Sequence, residues 1–105
     1  MDTEALQVAA FEIILNSGNA RTIVHESFAD MRNGDYEQAA EKLAQANDEL
    51  LLAHQAQTKL LHEYANGTEI KIEIIMVHAQ DHLMTSMTLR EVALEMLELY
   101  KKVGD

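Results

Sequence analysis

The chain has 105 residues, carries 18 acidic against 8 basic side chains for a formal net charge of −10, and contains no cysteine and no proline. That length suits a single domain spanning residues 1–105, and the lack of cysteine excludes disulfides and thiolate metal sites, which fits a cytoplasmic setting. The acidity repels phosphate backbones and anionic headgroups, so nucleic acid and membrane surfaces are disfavoured as partners, leaving plain solubility or a basic protein partner.

The N-terminus, "MDTEALQVAAFEIILNSG", opens on acids in place of a basic leader region, so no signal peptide is expected, and no apolar run is long enough to span a bilayer. Apolar and small residues recur every three or four positions from Leu6 through Ala10, Ile13/Ile14, Ser17, Ala20/Arg21 and Val24 to Phe28/Met31, predicting a first helix over Thr3–Arg32. Asn33-Gly34 then supplies the left-handed residue a helix end favours. Asp35 with Gln38 three positions on reads as a capping box opening a second helix over Asp35–Asn66. Its apolar row is Tyr36, Ala39/Ala40, Leu43, Ala46, Leu50, Ala53, Gln57 and Leu60/Leu61. Gly67 closes it, and Thr68 is the expected cap of a third helix over Glu69–Val103, roughly 52 Å long at about 1.5 Å per residue. The stretch "EIKIEII" at its start alternates with period two and would by itself read as a strand, but no breaker follows it before Gly104.

Turns this short force neighbouring helices antiparallel, which predicts an all-α, up-down-up three-helix bundle. From Ile74 to Leu89 the only ionisable residues are His78, Asp81 and His82, with apolar side chains around nearly the whole circumference. Two partner helices cannot cover such a helix on every side, so it is expected to bury the remainder against other copies of itself.

In "VHAQDHLMTSM", Val77 to Met87, His78 and His82 stand one helical turn apart, Thr85 continues their row, and Asp81 sits about 60° to one side. Gln80 lies about 200° round from His78, so the two are not expected to meet within one chain, which leaves a subunit boundary as the one place where they could. Zinc is one reading of the pair, yet Ala79 stands where the HExxH pattern places a glutamate, and no third ligand is evident. A Ser-His-Asp hydrolase lacks its nucleophile elbow and Gly-rich loop. Surface histidines without a task would leave Asp81 unexplained in an oily run, where a carboxylate needs a partner, a proton or a cation. Phosphoryl transfer suits the groups best, because a neutral imidazole is nucleophilic near pH 7 and a second imidazole and a hydroxyl can hold phosphoryl oxygens. With no ATP-binding loop, the donor must be another phosphoprotein. A helical interaction module using the methionine-rich surface, without chemistry, is the competing class.

"VHAQDHLMTSM", together with "FEIILNSGNAR", "NGDYEQA" and "AHQAQTKLL", resembles the enzyme IIA component of the lactose/cellobiose family of the bacterial phosphoenolpyruvate-dependent sugar phosphotransferase system, over almost the whole chain. The resemblance implies a homotrimer, a nine-helix bundle, and a phosphotransferase component in which His78 accepts a phosphoryl group from HPr. The group is carried on the Nε2 side and passed to a cysteine of the cognate IIB. It further implies that Asp81 and its symmetry mates bind one divalent cation, magnesium, on the three-fold axis, and that Gln80 and His82 line the active groove. "NSGNAR" is more similar to the cellobiose and diacetylchitobiose branch than to the lactose branch, which stays the alternative. Gly18 is expected either to permit a close approach near the groove or to tolerate a kink, and His54 to be a structural polar residue between helices. Met76, Met84, Met87 and Met96 are expected core filler, with Met84 and Met87 also candidates for a docking surface, and His25 and His62 surface residues.

Overall fold

Two glycines with positive φ, Gly34 at 80° and Gly67 at 96°, turn the chain at the expected places. The structure, a computed structural model, describes residues 1–104 and contains three helices of 30 residues each: α1, Thr3–Arg32; α2, Tyr36–Ala65; α3, Ile74–Val103. Both turns are Schellman motifs. At the first, Asp35 N–H donates to Asp30 C=O at 2.8 Å and Gly34 N–H to Met31 C=O at 3.1 Å; at the second, Thr68 N–H donates to Glu63 C=O at 3.0 Å and Gly67 N–H to Tyr64 C=O at 3.1 Å. Helix ends leave carbonyls unpaired, and these bonds satisfy them.

Three local expectations fail. Asp35 occupies the cap position of α2, but its side chain makes no capping bond, so the capping box with Gln38 does not form. The third helix begins at Ile74, not Glu69. Thr68 closes α2 through its own N–H, and Glu73, in extended backbone at φ −117° and ψ 151°, stands at the start of α3. The segment 68–73 forms neither the helix nor a strand: no side-chain cap is present to nucleate the helix early, and Ile70 packs on the core while Ile72 stays 90% exposed.

The three helices run up-down-up in a rod of 55 × 20 × 18 Å. The core follows the predicted rows: Leu6, Ala10, Ile13, Ala20, Val24 and Met31 of α1 meet Ala39, Leu43, Ala46, Leu50, Ala53 and Leu60 of α2, with Met76, Ala79, Leu83, Ala93 and Leu97 of α3. Each fully buried leucine or isoleucine contributes about 1.5–3 kcal/mol relative to exposure. Alanine and serine dominate between these large residues, which lets the helices approach closely. At one end the Met1 ammonium donates to the Glu69 carbonyl at 2.9 Å, and at the other the Tyr36 hydroxyl donates to the Tyr100 carbonyl at 3.2 Å. Among the described residues no helix is long and apolar enough to cross a membrane.

One side of α3 is left uncovered. Ile74 (89% exposed), Val77, Met84, Val92, Leu99 and Val103 share the face opposite the core. Met84 is therefore part of an open stripe rather than core filler, whereas Met76 is buried and Met87 and Met96 half-buried.

Candidate functional site

The second and third turns of α3 carry the predicted patch. His78 is exposed and His82 half-buried, and their rings lie stacked with centroids 5.8 Å apart and planes 11° from parallel. That arrangement follows from the helix itself, since positions i and i+4 overlie one another. What the helix alone does not supply is the wall behind His82. There Gly18 of α1 faces His82, and a Cβ at that position would make an ordinary van der Waals contact, 3.5 Å, with His82 Nε2. Gly18 thus lies beside the groove, but a side-chain methyl would fit there as well.

Thr85 is exposed in the same row, but its hydroxyl donates to the Asp81 carbonyl at 2.8 Å, with the His82 carbonyl at 3.3 Å. The hydroxyl hydrogen is thus engaged within the helix, leaving Thr85 an acceptor toward anything beside it. Asp81 is exposed at the middle of the apolar stripe, the only acid of α3 between Ile74 and Leu89, and makes no side-chain ion pair among the described residues.

Gln80 faces the other way, as the helical angle requires. It is half-buried against α2, where the Gln57 amide donates to its side-chain oxygen and its own amide points to the Met76 sulfur at 3.8 Å. Within one chain it does not join the His78 patch. Gln57 was expected only as a core-row position; a polar residue in the Ala53–Gln57–Leu60 row was the available signal for its role in holding Gln80. His54 lies beside the α2–α3 seam but is not enclosed by it. It is exposed at the rim of a depression lined by Leu51, Met87 and Arg90. His25 and His62 are exposed as expected, His25 meeting Phe28 edge-on at 5.9 Å.

Among the described residues no three histidine, cysteine or acidic side chains converge within the chain as a metal-ligand set. A zinc hydrolase centre and a Ser-His-Asp arrangement both lack their parts, whereas two adjacent, approachable imidazoles suit covalent carriage of a small electrophilic group.

Residues 8–101 match the family described as "PTS system, Lactose/Cellobiose specific IIA subunit". The lichenan-specific phosphotransferase enzyme IIA component of Bacillus subtilis is 43% identical over 97% of this chain and 93% of its own length. The crystal structure of PtcA from S. mutans superimposes with a TM-score of 0.95 at 79% identity, covering 96% of this chain and 99% of that one. The IIA(Chitobiose) of Escherichia coli, solved in complex with HPr, superimposes with a TM-score of 0.80 at 35% identity, over 95% of this chain and 97% of its own. An all-helical frame matched over most of its length, with the histidine pair on its third helix, leads to one conclusion: the chain belongs to the lactose/cellobiose-specific IIA subunits of the sugar phosphotransferase system, phosphoryl-relay components of that system.

Proposed function

We propose that His78 is the phosphoryl carrier, receiving the group from phospho-HPr on Nε2 and passing it to a cysteine of the cognate IIB in the cytoplasm. The observation that carries this reading is the exposed His78 ring stacked on His82, with Gly18 of α1 facing His82 so that only an added Cβ would reach its ring. The complex of the E. coli relative with HPr supports the choice of donor. The lone pair of the unprotonated ring nitrogen attacks phosphorus as the bond to the HPr carrier atom breaks. The cysteine thiolate of IIB then attacks the same phosphorus, the N–P bond breaks, and His78 returns to neutral imidazole. His82 restrains the ring and offers an N–H to the phosphoryl oxygens. The cargo is a disaccharide, cellobiose or diacetylchitobiose before lactose on the similarity of "NSGNAR".

A homotrimer with α3 at its centre accounts for the uncovered stripe, whose apolar side chains would otherwise stay in water. Placing Asp81 toward the axis sets His78 about 60° to one side and Gln80 about 100° to the other, so the His78 side of one subunit adjoins the Gln80 side of the next. Gln80 then serves a neighbour's His78. The residues fit a shared cation: a single chain offers no complete donor set, while Asp81 supplies one unpaired carboxylate per chain in apolar surroundings. Three such oxygens suit a hard divalent ion such as magnesium, which would turn mutual repulsion into cross-linking.

Incubation with phosphoenolpyruvate, enzyme I and HPr tests the carrier role. The expected product is one acid-labile phosphoryl group on His78 Nε2, located by mass spectrometry and proton-coupled phosphorus NMR; stable absence of the adduct, or an adduct elsewhere, refutes it.

A further inference from the structure

The phosphoryl group brings about 1.5 to 2 negative charges to a site whose named members, His78, His82, Gln80 and Thr85, include no permanent cation. The position of Gly18 facing His82 locates one. Along α1, Ile14, Gly18, Arg21, His25 and Phe28 form a single row at alternating spacings of four and three, and Gly18 fixes that row against the α3 row of His78, His82 and Thr85. Arg21 is therefore the next position beyond Gly18 along the seam between α1 and α3. Neighbours at this spacing have Cβ atoms about 5–6 Å apart, less than an extended arginine reaches. Side chains on a helix lean toward its N-terminus, which carries Arg21 back over Gly18 toward His82 and, since α1 and α3 run parallel, toward His78.

The charge pattern along the seam favours an anion. The chain holds 18 acids against 8 basic residues, yet neither seam row contains one, and Arg21 makes no ion pair among the described residues although it is exposed. The other two surface cations that do find partners, Lys42 and Lys101, pair with Asp30 and Glu98 away from this seam. Two facing rows bearing one arginine and three histidines and no acid of their own, on a strongly acidic protein, are a place where a dianionic group gains attraction, with Asp81 beside His78 the acid that this attraction offsets.

We infer that Arg21 is a phosphoryl-binding residue, its guanidinium holding two phosphoryl oxygens in a bidentate fork while the group resides on His78. The inference rests on His78 being the carrier. Arg21 remains protonated throughout and takes no part in bond making; it orients the equatorial oxygens and offsets their charge as phosphorus passes between carriers.

The test uses the full chain with phosphoenolpyruvate, enzyme I and HPr, comparing wild type, Arg21→Ala and Arg21→Lys. Arg21→Ala is expected to reach the same end-point labelling on His78. Its rate of acceptance from phospho-HPr should fall about ten- to a hundredfold, and the phosphorus resonance of its adduct should shift. Affinity for unphosphorylated HPr and thermal midpoint are expected to stay at wild-type values, because Arg21 is exposed and unpaired. Arg21→Lys, which keeps charge but loses the fork, should fall between. Wild-type rate and resonance in Arg21→Ala overturn the inference, as does a loss of rate matched by an equal loss of HPr affinity, which would make Arg21 a docking contact. Absence of label from His78 in the wild type is a separate result that removes the carrier reading itself.

Discussion

The rings of His78 and His82 lie nearly parallel, 5.8 Å between centroids, with one exposed and the other half-buried. On the proposed carrier role, this asymmetry gives them different work: the outer ring can meet a partner protein, and the inner one restrains it. His78→Ala should therefore remain folded and take no label from phospho-HPr. His82→Ala should still be labelled at His78, with acceptance slowed about ten- to a hundredfold, the equivalent of one charged hydrogen bond at about 1.5–3 kcal/mol. Rapid-quench labelling of the two variants separates the roles.

Gly18 lies inside α1, where glycine costs about 0.5–1 kcal/mol relative to alanine. A methyl there would touch His82 Nε2 at 3.5 Å without overlap. Gly18→Ala is expected to stabilise the protein by about that amount in denaturant titration while slowing phosphoryl acceptance, because the methyl occupies the space beside the ring nitrogen. A gain in stability with unchanged transfer would show that this face of His82 is idle.

Asp81 is a carboxylate among exposed apolar side chains. Replacement by leucine removes a charge from the proposed axis, and such replacements are often neutral or stabilising. Asp81→Leu should assemble in a manner indifferent to chelator, whereas chelation should weaken the wild-type oligomer. Sedimentation equilibrium with and without EDTA, and metal analysis of both proteins, reads the difference.

The Lys42 ammonium lies 2.8 Å from the Asp30 carboxylate, joining α2 to the end of α1. Its hydrogen bond to Asp30 raises its pKa above the ordinary 10.5; burial opposes this, and the charges of Asp30, Glu26 and Asp35 add to it. A folded value above the unfolded one means the contribution is fully present below 10.5 and disappears as pH climbs through the raised value. Lys42→Met should thus melt lower than wild type at neutral pH, with the gap narrowing above pH 10.5. Thermal midpoints measured across the alkaline range check the sign.

Much of this protein is written in short-range pattern. The rows Leu6–Ala10–Ile13 and Ala39–Leu43–Ala46 mark buried faces because a helix repeats every 3.6 residues, and Gly34 and Gly67 mark turns because a left-handed backbone favours a residue without Cβ. The adjacency of His78, His82 and Thr85, and the separation of Gln80 from them, follow from the same periodicity. Tertiary structure decided the rest. The start of α3 at Ile74 goes with Ile70 packing from a non-helical segment, a competition between local preferences that the core resolves. The meeting of Gly18 with His82, the pairing of Gln57 with Gln80 and the exposure of His54 depend on how far one helix slides along another. That register is set by the sizes of side chains fitted across a seam, a sum over residues distant in the chain, which no single helix repeat contains.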